Sequence, residues 1–558
     1  MWQKVLTLAA RIEGCLRNLS VHCGGVVITP GPIANYVPIQ RSAKGYPVIQ
    51  WEKDQAEASG LIKTDILGNK GLSVIRDVIQ SLNKDGMAID YSKLNPLGDK
   101  KTSEIFKAGD TVGVMHFESP RCRTLLKTFK DDSLQVLSIV CSIIRPAAMG
   151  QVNEILRRFK GEAFNYHHPD LEDVLKDSYG VMIYQEDVIR VVTLLAGFSA
   201  QEGNELRKIL AKKHKSLKLD FFFHKFTRGC YKKGLSEQSI NDLWNDILSF
   251  SGYSFCKAHS DSYSLVAYKS AYLKAHYPAE FMASVITQGG GFYVGNVEHY
   301  LNEARRLGVI ILPPDVNLSS CDYVGRKREI RVGLKQVKFL KRKTLSLILA
   351  ERACGEFKSI KDFLKRVDIS FEQARVLVKA RCFNSLRGKG STKLTHIQLM
   401  SEVYQYFLLK DQKNKNDAKF QLCKQVGAEY SFERLLSWEY KYLDGFVTFP
   451  SWFLYRDLLK KRHIIPAIQI FQYEKKEVIL YGQIMTKKRV RTKYQEAMSF
   501  ITFSDDTGAF NTTFFPRVYE QCRDLIFLGG SFLVKGTVER DLDDFQIIVD
   551  EITRVGVV

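Results

Sequence analysis

Long apolar runs are missing from this 558-residue chain. A membrane-spanning helix needs roughly 18 or more consecutive apolar residues, and no stretch reaches that length. The nearest, Leu134 to Ile144, has the length of a buried core element. The start, Met1-Trp-Gln-Lys-Val-Leu6, lacks the extended apolar region of a secretory signal. Cysteine is scarce and scattered. The 11 cysteines include no Cys-x-x-Cys pair, and Cys15, Cys23, Cys122 and Cys141 have no histidine at ligand spacing. A structural zinc site is therefore not expected, and the odd number points to free thiols in a reducing, cytoplasmic compartment. Acidic residues are also short, 61 against 82 lysines and arginines, which leaves a net charge of +21. An excess of that size implies a polyanionic partner, because basic surfaces attract phosphate chains and release counterions. No internal repeat of fixed period is present.

What is present is ample core material, with 45% hydrophobic and 26% charged residues. A chain of this length predicts several domains. The segment Gly60-Leu-Ile-Lys-Thr-Asp-Ile-Leu-Gly68 reads as a strand closed by glycine. Side chains alternate along a strand, so Lys63 and Asp65 share one face. A triphosphate with bound magnesium needs such a pair, a carboxylate for the metal and an ammonium for the phosphates. Alone, a Lys-x-Asp is most often a solvated ion pair.

Around that strand, Trp2 to Leu19 has helical spacing, and Gly24-Gly25-Val-Val-Ile-Thr29 starts another strand. Residues 71–325 are dominantly helical. Ile240, Leu243, Trp244, Ile247 and Leu248 share one face, and a helix over Ser262 to His276 is stopped at Tyr277-Pro278. Positive charge gathers at Arg207, Lys208, Lys212, Lys213 and Lys215. Residues 326–400 read as short helices between turns, and Lys410 to Asn416 as a solvated linker. From about 474, five short strands near 478–482, 499–503, 510–515, 531–536 and 545–549 predict a small barrel.

The order of these segments resembles the bacterial DNA polymerase III alpha subunit, a C-family replicative polymerase. His22-Cys-Gly-Gly-Val-Val-Ile28 is similar to a palm strand of that family, and Gly60–Gly68 to the strand carrying its third catalytic aspartate. Phe117-Glu-Ser119, Ile144-Arg-Pro146 and Tyr179-Gly-Val-Met-Ile-Tyr-Gln-Glu186 resemble its fingers motifs. So do Tyr253-Ser-Phe-Cys-Lys-Ala-His-Ser260, Leu273 to Met282 and Ile311-Leu-Pro-Pro-Asp-Val-Asn317. The resemblance implies a multidomain α+β fold with a partial palm sheet at 1–70 and helical fingers at 71–325. It then implies a helix-hairpin-helix-like region at 326–400, a linker and clamp-binding-like region at 401–473, and an OB-type five-stranded barrel at 474–558.

The same resemblance implies roles. Asp65 would be a metal-binding catalytic carboxylate for Mg2+, and Lys63 would contact the dNTP triphosphate. Arg145, Lys257 and His259 would line the nucleotide pocket. Arg207, Lys208, Lys212 and Lys213 would follow primer-template DNA. In the barrel, Lys487, Lys488, Arg489, Arg491 and Lys493, with Tyr481, Tyr494 and Phe500 nearby, have the cations and aromatics that single-stranded DNA binding requires. Each role has a plainer alternative. Arg145 could cap a turn, His259 could sit in a helix N-terminus, and the basic runs could be solvated loops over an aromatic core.

The sequence also departs from the family. Its Pro-Asp-x-Asp-x-Asp strand, which carries two of three catalytic aspartates, does not occur. Asp131-Asp132, Asp505-Asp506 and Asp543-Asp544 fall in other regions. One carboxylate cannot hold two metals, so the expectation is that this chain does not polymerise alone and needs a companion chain carrying the missing palm. The alternative is a catalytically inactive DNA-binding remnant. Pro146-Ala-Ala stands where the family has proline-glycine, and Phe339 and Leu340 occupy a hairpin that ordinarily carries glycines. A sliding clamp stays open as a partner, although Gln421 to Gln425 is not a convincing clamp peptide. Gly289 to Tyr293 and Gln50-Trp-Glu-Lys53 are more similar to the error-prone branch.

Overall fold

The computed structural model describes residues 2–15, 20–144, 151–211, 217–249, 255–290, 297–388, 394–410, 429–456, 459 and 462–555. The chain divides into two compact units, Met1–Lys70 and Gly71–Val558. In the first unit, helix α1 (Trp2–Ile12) precedes β1 (Gly25–Val27), the hairpin β2 (Ile39–Arg41) and β3 (Pro47–Ile49), α2 (Lys53–Ala58) and β4 (Lys63–Asp65). Strands β1 and β4 pair antiparallel, with Gly25 opposite Asp65 and Val27 opposite Lys63.

The second unit begins with a run of helices: α3 (Lys70–Lys84), α4 (Lys100–Lys107), α5 (Pro120–Phe129), α6 (Leu134–Ile143), α7 (Val152–Phe159) and α8 (Glu172–Leu175). The starts of α4, α5 and α6 are set by side chains that accept orphan backbone N–H groups. Asp99 accepts from the Thr102 amide, Ser119 from Cys122 and Ser133 from Val136. The apolar run seen in the sequence becomes α6, buried from Val136 to Ile143. It packs with α4, α5 and the long α13 (below) in one core.

Next come α9 (Gln185–Ala196), α10 (Ala200–Ala211), α11 (Leu217–Lys232) and α12 (Glu237–Ser249), which share a second core around Val191, Leu195, Phe226 and Ile247. Helix α13 (Lys257–His276) starts five residues before the sequence-predicted Ser262 and ends as predicted at Tyr277, where Pro278 opens α14 (Pro278–Thr287). Proline suits the first turn of a helix but not its interior.

After α15 (Val297–Arg306), a small sheet of β5 (Ile310–Leu312), β6 (Val324–Arg326) and β7 (Glu329–Arg331) forms in the order β5-β7-β6. The sequence reading expected only helices and turns from 326. Three-residue strands are too short to show alternation. Helices α16 (Arg342–Ala353), α17 (Ile360–Arg366), α18 (Phe371–Lys379), α19 (His396–Lys410) and α20 (Phe432–Leu443) follow. Helix α20 buries Trp438, Tyr442 and Leu443 in the largest core, so part of the expected linker region is packed structure. Residues 411–416 of the expected solvated run lie outside the described residues.

The last module is a closed barrel of β8 (Glu477–Arg491), β9 (Ala497–Ser504), β10 (Ala509–Phe514), β11 (Ser531–Asp541) and β12 (Asp544–Val555), in the order β10-β12-β11-β8-β9. All five predicted strands are present. Helix α21 (Pro516–Leu528), between β10 and β11, was not read from the sequence.

Candidate nucleotide and nucleic-acid sites

The Lys63/Asp65 pair forms as strand alternation requires. Lys63 Nζ lies 2.9 Å from Asp65 Oδ1, and that hydrogen bond is the main reason the Asp65 carboxyl is held below its ordinary range. Asp65 is half-exposed and stays ionised. His22 Nδ1 lies 3.7 Å from the same oxygen. It accepts the Gly24 amide hydrogen at 3.2 Å, so in the neutral ring it has no proton to offer Asp65. The paired glycines matter here. A Cβ on Gly25 would stand 2.9 Å from the His22 ring, and one on Gly24 would stand 2.6 Å from the Ile66 carbonyl oxygen. The exposed partner of this pair, His22, was part of a quoted motif but had no assigned role.

In the second unit, two motifs some 70 residues apart meet. Tyr184 and Phe255 form a parallel bridge, and the Gln185 amide donates to the Phe255 carbonyl at 2.9 Å. Glu186 accepts the Lys257 amide at 2.9 Å and so caps the start of α13. Gln185 Oε1 accepts from Arg207 at 3.0 Å, and Arg207 Nε donates to Asn204 at 3.0 Å. Gln185 and Glu186 thus join Arg207 to Lys257. Lys257 Nζ pairs with Asp177 at 2.7 Å, a bond that lowers the Asp177 pKa. The exposed His259 ring stacks on Phe255 at 5.3 Å and meets Tyr263 edge-on at 4.0 Å. Tyr263 in turn stacks on His116 at 3.9 Å. Lys208 is exposed one residue beyond Arg207. Arg145, Lys212 and Lys213 lie outside the described residues. Gln185, Asn204, Asp177 and Tyr263 were missed. Only Gln185 stood in a quoted motif.

In the barrel, strand alternation splits the basic run. Lys487, Arg489 and Arg491 share one face, and Lys487 Nζ sits 5.5 Å from the Phe527 ring of α21. Lys488, opposite Phe500, faces the other way into a cleft of about 950 Å³. That cleft is lined by Met498, Phe500 and Phe515 of the barrel and by His116, Pro120 and Arg121 before and within α5. Lys493 lies in the β8–β9 turn beside Tyr494, which is 73% exposed. Tyr481 is a correction. It is 4% exposed, and its hydroxyl is bonded to Ser451 and Ser531, so it is core and cannot stack on a base.

The other aspartate pairs are held in place by the protein. Asp132 pairs with Lys107 and accepts from the Tyr268 hydroxyl, while Asp505 accepts the Ala467 and Thr507 amides. The β11–β12 turn docks on the helices through Asp544 with Lys127 at 2.7 Å and Asp543 with Lys160 at 3.4 Å. Among the described residues, no three His, Cys, Asp or Glu side chains are grouped to hold a metal ion. Near α16, Phe339 adopts φ 68°, a left-handed conformation that favours glycine, and is 68% exposed. The neighbouring amides are used internally, Lys338 to the Tyr442 carbonyl at 2.8 Å and Lys341 to Gln373 at 2.9 Å.

Comparison with known proteins gives these segments a common context. Residues 1–68 match the bacterial DNA polymerase III alpha NTPase domain, and residues 71–234 match the finger domain of the same subunit. Residues 308–393 match a helix-hairpin-helix motif and residues 478–555 an OB-fold nucleic acid binding domain. The DNA polymerase III subunit alpha of Aquifex aeolicus is 32% identical over 99% of this chain and 47% of its own length. The Bacillus subtilis subunit is 30% identical over 98% of this chain and 50% of its own length. This chain belongs to the DNA polymerase III alpha subunit family. It spans about half the length of those relatives. Within the family match, Lys63 and Asp65 fall in the NTPase segment, Arg207 in the finger segment, and Lys487 to Lys493 in the OB-fold segment. Lys257 and His259 lie between the matched segments.

Proposed function

We propose that this chain is the part of a DNA polymerase III alpha subunit from the end of the palm through the fingers to the barrel, and serves template-directed DNA synthesis in replication or repair. The reaction is transfer of a deoxynucleotide monophosphate to a primer 3′ end. The observation that carries the reading is the Lys63–Asp65 pair on one strand face, within a segment that matches the subunit's NTPase domain. Asp65 offers a carboxylate to a metal-bound triphosphate, and Lys63 offers charge to its phosphates. Arg207, Lys257 and His259 are proposed to hold the nucleotide and template from the fingers, and the barrel's cations and exposed aromatics to hold single-stranded template.

Asp65 is one ligand, and a two-metal site needs several. In this proposal a companion polypeptide supplies the remaining palm carboxylates. The relatives, about twice as long, are consistent with that assignment.

The test is primer extension with magnesium and all four deoxynucleotides, with and without a polypeptide carrying the other palm strands. Extension only with the companion, abolished by Asp65→Ala, is the expected result. Extension by this chain alone, or activity unaffected by Asp65→Ala, would contradict the assignment. No extension in either case, with DNA binding intact, would favour a binding role without catalysis.

A further inference from the structure

Helix α11 buries one face completely. Phe222, Phe226 and Cys230 sit in the core with α9 and α12, and Gly229 lies so close to the Ala196 backbone that a Cβ would come within 2.4 Å. The opposite face carries Phe221, His224, Arg228, Tyr231 and Lys232, spaced at the helical period along nearly the whole element. Phe221 is 62% exposed and Tyr231 is 51% exposed. Neither contributes to the core, so the core does not explain two large aromatics at these positions. His224, Thr227, Arg228, Tyr231 and Lys232 line one open groove on this face. Among the described residues, Arg228 and Lys232 have no ion-pair partner, unlike Lys225, which pairs with Glu202. The only acidic residue of the helix, Asp220, lies in its first turn.

We infer that this face of α11 is a second docking surface for single-stranded nucleic acid, separate from the barrel. The occupant follows from charge and shape together. Arg228 and Lys232 stand one helical turn apart and offer uncommitted charge to successive phosphates. Tyr231 and Phe221 offer flat apolar rings to unpaired bases, a combination suited to single strands rather than to duplex, whose bases are already stacked. Against a protein partner, the face lacks the closed apolar patch of a stable interface. The inference rests on the reading of this chain as a DNA polymerase subunit, and it adds a binding surface that this reading did not contain.

The test uses the full chain and a fluorescent oligothymidylate, with binding followed by anisotropy across salt concentrations. The double variant Arg228→Glu/Lys232→Glu, at exposed positions, is expected to bind at least about tenfold more weakly, with the salt slope reduced by about two. Tyr231→Ala is expected to weaken binding about tenfold with the slope unchanged. Photocrosslinking of a halouracil oligonucleotide is expected to label Tyr231 or Phe221. A folded double variant that binds like the unaltered chain, or one that loses affinity only for duplex DNA, would overturn the inference. The barrel variant Lys488→Glu/Phe500→Ala separates the two readings. Loss of binding there, with α11 variants unaffected, would sink the α11 surface and keep the polymerase reading. Absence of binding by the unaltered chain would sink both.

Discussion

At the scale of single residues, burial decides which charges respond to pH. Glu298 is 1% exposed at the start of α15, where Gln483 of β8 and Ser451 bond to its carboxyl and Arg305 lies nearby. Burial pushes this carboxyl up to about 7, against about 4.5 in the unfolded chain. Between these values the unfolded chain ionises the group while the folded chain keeps it protonated. Stability is therefore lost as pH rises from about 4.5 and levels off above about 7, a total on the order of 3 kcal/mol. Glu298→Gln should remove that slope. The checking measurement is the thermal midpoint of both proteins from pH 5 to pH 8 (about 5 and 8). Parallel curves would show that Glu298 does not control it. Asp65 is the opposite case, an exposed carboxylate held ionised by Lys63 and available to a ligand. Its pairing could be read from the sequence because the alternation of a strand needs no tertiary information. The burial of Tyr481 could not, because the same tyrosine on the outer face of the barrel would have an identical neighbouring sequence.

At the scale of elements, close approach of backbones is the vulnerable feature. Helix α11 meets α9 at Gly229 and Ala196 with no room for a side chain. Gly229→Val would force the two helices apart, and overpacking of this kind costs about 1–3 kcal/mol, only partly offset by valine's better helix propensity than glycine's. The expected outcome is a lower urea midpoint without a change in the exposed face of α11. An unchanged midpoint would mean that the helices can separate freely. The long elements were legible because apolar spacing repeats several times within them, as in α12 and α13. The sheet β5-β7-β6 and the short helix α8 were not, because three or four residues do not complete a period. Helix α21 lies between two predicted strands and was not read from the sequence.

At the scale of the whole molecule, one acidic turn of the Gly71–Val558 unit is among the contacts that seat its barrel on the fingers. Asp543 and Asp544 pair with Lys160 and Lys127, and Leu542 packs against the neighbouring helical core. Asp543→Ala/Asp544→Ala should raise deuterium uptake in this turn and in α5 while the barrel strands stay protected. Unchanged uptake would show that the remaining contacts, Leu542 against the helical core, Asp541 with Arg121 and the Asp543 amide with Thr128, are enough to hold the turn. The sequence by itself determined the barrel, the Lys63–Asp65 pair and the basic character, because each depends on local periodicity or on composition. Only the tertiary structure decided that Arg207, Gln185, Glu186 and Lys257 form one cluster, that Tyr481 is core, and that the basic run of β8 divides between two faces. The cluster, and the burial of Tyr481, depend on which distant segments the folded chain brings together. The division of β8 depends on its extending to Arg491, as its pairing with β9 shows. No local pattern in the sequence fixes those pairings.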